Sequence, residues 1–470
     1  MTSRERRGLT LRHTNLSRGL IIASLLSFLL LLGWAVPVID WELLLGGVAV
    51  AAIALLILRR FEIGVLALLL TTAFIRFTLP TGTHSRIVAS LLVASMLIVV
   101  WVVKMLLRRE FSLVPSRSNF PLIGFVLAAT LSVLWHLVFM DPVVEAHFGP
   151  ALTFSYARIL IGGLAVMILL PALFFLVANV IRDENWIRWI FGILLFVGTL
   201  QIISHLTGIS FVLTDFGLKT AGMFHMWMIA LAWSQLLFNQ RLRLWQRVFL
   251  VAFTAAWLFW GFVMRIEWVS GWFPPMVAML AISYLRSRKL FLIMLVAILA
   301  IFLIRSEYYY QTVWLESQRW DFNRFWLWKT IVFDLTLTKA QPLLGMGPAG
   351  YARYFMTYYP GQAMSAHNNY VDIIAQTGII GTTFFMWFLW SVIRTGLDVR
   401  KHARRDFLGA LSHGILGGFV GICASMGLND WFVPFVYNTS IAGFDHTLYS
   451  WVLLGILVSI QRLYLEEEPA

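Results

Sequence analysis

The feature that most constrains this chain is a series of apolar blocks of about 20 residues, separated by short polar stretches. A helix rises about 1.5 Å per residue, so a block of this length spans the hydrocarbon core of a bilayer. The chain is 60% hydrophobic and 13% charged, whereas a soluble domain carries about 25% charged residues. No stretch of about ten residues alternates apolar and polar side chains, as barrel strands in a membrane do. The sequence therefore predicts an all-α, polytopic integral membrane protein.

Hydropathy predicts about 12 to 14 transmembrane helices. The boundaries are softest for Leu43–Leu58 and for the two segments flanking Arg265. The first segment is too long for the apolar part of a signal peptide, and we expect it to remain a membrane span. The predicted spans are Gly19–Val38, Leu43–Leu58, Ile63–Leu79, Ile87–Leu106, Phe120–Met140, Ala157–Val180, Trp189–His205, Ala221–Phe238, Val248–Val263, Val269–Leu285, Leu290–Ile304, Gly378–Gly396, Leu408–Leu428 and Tyr449–Ile460.

Lysine and arginine are concentrated in every second loop, which predicts that these loops lie in the cytoplasm. Arginines precede the first span, so both the N-terminus and, with an even span count, the C-terminus are predicted to be cytoplasmic. This pattern accounts for the net charge of +13 without a nucleic-acid partner. The single cysteine, Cys423, excludes an internal disulfide. The further basic clusters are Arg59–Arg60, Lys104–Arg109, Arg241–Arg247, Arg286–Lys289 and Arg400–Arg405.

On the opposite side, Arg305–Thr377 forms a long segment that contains no predicted span. Loops of this length are uncommon unless they have a function. The segment is rich in tryptophan and tyrosine, which favours short helices at the membrane interface over a separate soluble domain. The chain is accordingly divided into residues 1–304, 305–377 and 378–470, which together form one integrated membrane domain.

One stretch, Gly345–Gly350, has the G-x-G-x-x-G spacing of a dinucleotide-binding loop. It follows no buried parallel strand, and Pro348 lacks the backbone N–H that a phosphate cradle would use. We therefore interpret it as a tight turn that lets two backbone segments approach closely. No nucleotide is expected to bind there.

Two kinds of side chain on the non-cytoplasmic side are suited to chemistry. Isolated arginines such as Arg265 bind phosphate oxygens bidentately and stay charged, although each is equally well explained as an ion pair or an anchor. His367, with Ser365 as the expected N-cap of the helix after it, is a candidate general base. Asp372 is placed to orient polar partners on the same helix face. The histidines show no metal-ligand spacing, so no metal site is predicted.

Several of these residues occur together in a recognisable order. Gln341–Gly347 contains a P-x-x-G-x-G turn, His367 and Asn368 form an H-N pair, and Gly378–Gly381 reads G-I-I-G. Arg324–Trp328 is an arginine-then-tryptophan element about twenty residues before the turn. This order resembles the signature of the O-antigen ligase and O-antigen polymerase superfamily.

The resemblance is looser upstream. Gly222–Phe224 is similar to the family's small-residue turn, and Lys219 stands where a basic residue is expected. Arg265 occupies the place of the arginine in the family's Ser-Arg pair, with Met264 in place of the serine.

The resemblance implies a GT-C-type glycosyltransferase in the bacterial inner membrane, with its active site on the periplasmic side. Such enzymes move a glycan from undecaprenyl diphosphate to an acceptor hydroxyl, with inversion and without a metal or other cofactor. His367 would activate the acceptor hydroxyl. Arg265 and Arg324, with Arg319, would hold the diphosphate. The supporting residues would be Asn368, Asn369, Tyr370 and Lys219.

The second substrate stays open. A ligase would use a lipid A core sugar, a polymerase a second lipid-linked repeat unit, and a protein O-oligosaccharyltransferase a serine or threonine. From another class of protein, a flippase or polysaccharide transporter also fits the span count. The long one-sided loop and the few ionisable residues within spans count against transport.

Overall fold

A computed structural model describes residues 60–80, 86–149, 154–213, 216–218, 223–266, 268–311, 324–360 and 365–466. The predicted spans Gly19–Val38 and Leu43–Leu58 lie outside these residues, as do Lys219 and Arg319. The chain divides into two compact units, Met1–Ile63 and Gly64–Ala470. The architecture below is that of the second unit.

Helices dominate the described residues, with two small antiparallel strand pairs between them. The strands are β1 (Thr78–Pro80) paired with β2 (Arg86–Val88), and β3 (Val212–Leu213) paired with β4 (Phe216–Gly217). The helices are α1 (Phe61–Phe74), α2 (Ala89–Arg108), α3 (Asn119–Val138), α4 (Pro142–Phe148), α5 (Phe154–Val180), α6 (Glu184–Thr207), α7 (Phe224–Phe238), α8 (Leu244–Phe259), α9 (Val269–Arg286), α10 (Arg288–Ile304), α11 (Arg324–Lys329), α12 (Tyr351–Tyr358), α13 (Asn369–His402), α14 (Phe407–Ser425), α15 (Val436–Thr439) and α16 (Phe444–Glu466). The described residues also include two π-helices, Trp260–Met264 and Thr330–Thr336, and a 3₁₀ turn, Ile441–Gly443.

The prediction of an all-α, polytopic membrane protein is confirmed. Eight helices among the described residues are long and apolar enough to cross a membrane: α2, α3, α5, α6, α8 with its π-helical extension, α13, α14, and α16 with the preceding 3₁₀ turn. A helix also overlaps every predicted span from Ile63 onward. The total of about 12 to 14 spans stays a prediction.

The centre of the bundle is formed by α14 and α16. Their apolar windows are 83% and 78% buried, whereas that of α2 is 22% buried. Helix α14 packs on α7 and α9, and α16 packs on α5. Helix α10 buries none of its residues and exposes Ile293, Val296 and Ile304. An apolar helix of this kind is expected to face lipid rather than water.

Loops that the charge pattern assigns to the cytoplasm contact one another. Asp398, near the end of α13, pairs with Arg117 at 3.1 Å and with Lys401 at 2.7 Å. The Arg400 guanidinium donates to the Leu285 carbonyl at 3.0 Å, which joins the end of α13 to the end of α9. These contacts place several of the predicted cytoplasmic loops at one end of the bundle.

The described residues of the segment 305–377 form short helices before α13, as expected. Helices α11 and α12 and the π-helix Thr330–Thr336 pack with α4 and α15 around a core that includes Leu327, Met346, Tyr351, Phe355 and Phe435. The span predicted from Gly378 forms the second part of a longer helix. Helix α13 begins at Asn369, and Gly378 interrupts it with a φ of 62° and a ψ of −164°. The glycine marks a helix break because L side chains rarely adopt this conformation.

Candidate functional site

The G-x-G turn and the break at Gly378 touch through their main chains. The Met346 N–H donates to the Ala375 carbonyl at 2.8 Å, and the Ile379 N–H donates to the Pro342 carbonyl at 2.8 Å. A Cβ on Gly378 would lie 2.4 Å from the main chain of Leu343. The interpretation of this turn as a close backbone approach is confirmed, and it fixes the 341–350 turn against the first part of α13.

The first residues of α13 anchor the loop that connects α14 to α15. The Asn369 side chain accepts from the backbone N–H groups of Phe432 and Val433 and donates to the Val433 carbonyl at 2.6 Å. The Tyr370 hydroxyl donates to the Cys423 carbonyl at 2.8 Å. Asn369 and Tyr370, both predicted as supporting residues, therefore hold the backbone around the site.

The N-cap of α13 is Asn368, and the prediction of Ser365 is wrong. The Asn368 side chain accepts from the backbone N–H groups of Tyr370 and Val371, at 3.0 and 3.3 Å, and donates to the Gly427 carbonyl at 3.3 Å. Ser365 instead accepts from the His367 backbone N–H at 3.4 Å. The helix begins later because Asn368 has an extended backbone, with a φ of −155°.

His367 lies directly before this cap in a left-handed conformation, with a φ of 44°. Non-glycine residues in this region carry a backbone cost, and such residues cluster at functional sites. The amide nitrogen of Asn438 lies 3.1 Å from the imidazole Nδ1 and donates to the Asp430 Oδ1 at 2.9 Å. Asp430 Oδ1 itself is 4.0 Å from Nδ1. A buried carboxylate and an exposed amide therefore back the imidazole, whose side chain is 23% exposed.

The charge states of this group follow from its surroundings. Burial, with a smaller contribution from the nearby Arg324 guanidinium, lowers the pKa of His367 to about 4. Burial raises the pKa of Asp430 to about 6, although its hydrogen bonds oppose the change. The nearby Asp430 carboxylate favours the protonated imidazole, but the effects of burial and of Arg324 on the pKa of His367 are larger. At neutral pH, His367 is neutral and Asp430 is ionised.

Arg324 begins α11 and is brought to His367. Its guanidinium lies 3.5 Å from the Leu428 carbonyl, in the same loop that Asn369 anchors. The indole N–H of Trp328, one turn later, donates to the Ala366 carbonyl at 2.7 Å. The arginine-then-tryptophan element thus ties α11 to the residue preceding His367, and the two predicted residues Arg324 and His367 come together.

Arg265 lies on the turn after the π-helix Trp260–Met264, and its side chain is exposed. The Trp268 backbone N–H donates to the Arg265 carbonyl at 3.0 Å. The Trp268 ring then packs edge to face with Trp431, with centroids 5.3 Å apart, and Trp431 directly follows Asp430. The Arg265 turn is therefore joined to the His367 site through two tryptophans. The predicted roles of Arg319 and Lys219 fall outside the described residues.

Sequence reasoning missed Asp430, Asn438 and the tryptophan pair. A polar Asn429–Asp430 step between two apolar helices, on the same side as the long loop, was the available signal. Asp372, expected to orient polar partners, accepts from the Tyr351 hydroxyl at 2.6 Å. It fixes α12 against α13, and both residues are fully buried.

An apolar groove of about 670 Å³ adjoins the Arg265 turn. It lies between α8, α9 and α10 and is lined mainly by aliphatic, aromatic and methionine side chains, among them Val263 and Ile266 on either side of Arg265. Arg305 and Tyr308 add polar groups to the lining. The groove therefore connects the exposed apolar surface of these helices with the turn that carries Arg265.

In the described residues, no group of three His, Cys, Asp or Glu side chains is placed to hold a metal ion. Fold and site together define a multi-pass, all-α membrane protein that has a polar site at one end of its helix bundle. No family model matches the chain, and no curated protein matches it. The similarity to O-antigen ligases and polymerases therefore stays a prediction from motifs.

Proposed function

We propose that this protein is an inverting membrane glycosyltransferase, which moves a glycan from undecaprenyl diphosphate to an acceptor hydroxyl. The observation that carries the proposal is the grouping of a neutral, partly exposed His367 with Arg324 and the buried Asp430. A glycosyl donor with a diphosphate leaving group needs a base for the acceptor and cations for the departing charge. This group of residues supplies both.

His367 acts as the base in this proposal. A pKa near 4 leaves the imidazole unprotonated at neutral pH, so a ring nitrogen is free to accept a proton. To accept it at Nε2, the ring must carry its own proton on Nδ1, where Asp430 Oδ1 is the carboxylate 4.0 Å away. Asn438 now donates toward Nδ1, which corresponds to the other tautomer. Movement of this exposed amide off Nδ1 is therefore part of the proposed cycle.

Arg324 and Arg265 bind the diphosphate. Guanidinium groups match phosphate oxygens and keep their charge at any working pH. Arg324 is close enough to His367 to influence its pKa. Arg265 is exposed on a turn that contacts the same loop through Trp268 and Trp431. Both arginines stabilise the charge that develops on the leaving group.

The apolar groove beside Arg265 takes the polyprenyl tail. Its volume of about 670 Å³ and its apolar lining suit hydrocarbon, and it adjoins the turn that carries the arginine. A lipid in this groove would present its diphosphate toward Arg265 and its glycan toward His367. The acceptor is a lipid or a glycan hydroxyl, as in a ligase or a polymerase.

The test is release of undecaprenyl diphosphate by purified protein incubated with a lipid-linked glycan and candidate acceptors. We expect His367→Ala to lower turnover by at least about 100-fold, the usual contribution of a general base. Arg324→Ala should lower it as well, because the leaving group loses a cationic partner. Matched controls are His402→Gln and Arg288→Ala, which alter exposed residues in the predicted cytoplasmic loops.

Wild-type turnover by the His367→Ala and Arg324→Ala variants would contradict the proposal. So would passage of lipid-linked glycan across vesicles without release of undecaprenyl diphosphate, which would identify a flippase. Offering core sugar, lipid-linked repeat unit and serine peptide as separate acceptors then distinguishes ligase, polymerase and protein glycosylation.

A further inference from the structure

Two tryptophans stand between the Arg265 turn and the loop that backs His367. Trp268 donates its backbone N–H to the Arg265 carbonyl, and Trp431 adjoins Asp430 in the chain. Their rings meet edge to face at a centroid distance of 5.3 Å and an interplanar angle of 64°. The Trp268 ring also packs against the rings of His225 and Trp260, with centroid distances of 5.3 and 6.0 Å. These contacts hold the Trp268 ring in place.

Partial exposure, together with unpartnered indole N–H groups, distinguishes this pair from the tryptophans packed in the bundle. Five other tryptophans donate their indole N–H to an acceptor: Trp227, Trp233, Trp272, Trp328 and Trp451. The indole N–H of Trp257 has no partner, but that side chain is fully buried and cannot reach a ligand. Within the described residues, the indole N–H groups of Trp268 and Trp431 form no hydrogen bond, and neither is enclosed as that of Trp257 is. Both side chains are half-buried rather than enclosed. A buried or interfacial indole usually finds a partner, so this pair offers two donors to a ligand.

An aromatic face with adjacent N–H donors suits a ring that carries both C–H and O–H groups. The C–H face of such a ring gains binding energy by stacking on an aromatic side chain, and each indole N–H can donate a hydrogen bond to one of its hydroxyl oxygens. A sugar is such a ring. In the proposed reaction, the sugar joined to the diphosphate must lie between the arginines and the base, because its anomeric carbon reacts with the acceptor there. Trp268 and Trp431 occupy the protein segment that connects those two groups.

We propose that Trp268 and Trp431 form the platform for the hexopyranose ring attached directly to the lipid diphosphate. The inference rests on the proposed function, since it names the sugar contacts of that same site. The pair selects a pyranose ring at this position and contributes to binding of the glycan, not of the lipid. It leaves proton transfer to His367.

The test is equilibrium binding to the full-length protein in nanodiscs. The probes are radiolabelled undecaprenyl diphosphate and the same lipid carrying glucose, galactose or N-acetylglucosamine. We expect at least one sugar-bearing probe to bind about 10-fold more tightly than the bare lipid diphosphate. Trp431→Leu and Trp268→Leu should each remove most of this advantage. Trp431→Phe, which keeps a ring but lacks the N–H, should retain part of it.

The controls separate folding from recognition. Trp245→Leu changes an exposed tryptophan at the start of α8 and should keep the full advantage. Unchanged binding of bare undecaprenyl diphosphate in the variants shows that they are folded. The inference is overturned if no sugar improves wild-type binding, or if the advantage survives in both leucine variants. Because binding is read without turnover, failure here is distinct from failure to release undecaprenyl diphosphate, which counts against the proposed reaction alone.

Discussion

The charge of Arg324 should be measurable in the titration of His367. The pKa of His367 falls from 6.5 to about 4, with burial as the larger cause and Arg324 as the smaller. Removal of the Arg324 charge should therefore raise the pKa by up to about one pH unit, which corresponds to about 1.4 kcal/mol. It should not restore 6.5, because the burial remains. Arg324→Met is the suitable change, since it keeps a long side chain and does not open the site to water.

The assay is the pH titration of the imidazole by NMR of protein labelled with ¹³C in histidine, with the His367 signal assigned by its loss in His367→Gln. Arg324→Lys is the matched control, because it retains a positive charge and should leave the pKa close to that of the wild type. An unchanged pKa in Arg324→Met would refute the reasoning. The same rise in Arg324→Lys would also refute it, because packing rather than charge would then be the cause.

Three further predictions concern the frame of the site. Gly378→Ala should impair folding or lower the thermal midpoint in detergent, because its φ of 62° disfavours a side chain and a Cβ would lie 2.4 Å from the opposite turn; Gly192→Ala, which meets nothing within 4 Å, should not. Asn369→Ala should cost about 2 to 4 kcal/mol of unfolding free energy, since it strands buried backbone groups, and equal midpoints for Asn369→Ala and the exposed Asn438→Ala would contradict this. Asp430 has a pKa raised to about 6, so its stabilising contribution is present at low pH and is lost as the pH rises through about 6. The thermal midpoint of Asp430→Asn should therefore rise relative to that of the wild type as the pH is raised from 5 to 8, while turnover is lost. A difference between the two midpoints that does not change with pH would refute the raised pKa of Asp430.

The membrane spans could be predicted from the sequence because each depends on local composition. About 20 apolar residues in a row have few structural alternatives, and each predicted segment from Ile63 onward is overlapped by a helix. The break inside α13 could not be predicted in this way. Gly378 has the sequence signature of a helix start, but the backbone breaks there and resumes on both sides, because the turn at Gly345 needs space at that point.

The residues of the candidate site that stand in short motifs could be named from the sequence, whereas those that depend on the fold were missed. His367 and Arg324 stand in recognisable local patterns, and the structure brings them together. Asp430 and Asn438 occur in an apolar region with no motif, and they reach His367 only because Asn369 pins their loop from a distant part of the chain. A contact between residues so far apart in the chain cannot be predicted from a local sequence pattern.

The contact between Gly345 and Gly378 is made by main-chain atoms alone. Backbone N–H and C=O groups are common to all residue types except for the N–H of proline, so these hydrogen bonds do not depend on which side chains stand beside the two glycines. The frame of the candidate site is thereby less dependent on the identity of the surrounding residues. Proteins that share this arrangement would keep little more than two spaced glycines in common here, and superposition of backbones would recognise them where alignment of residues has almost nothing to compare.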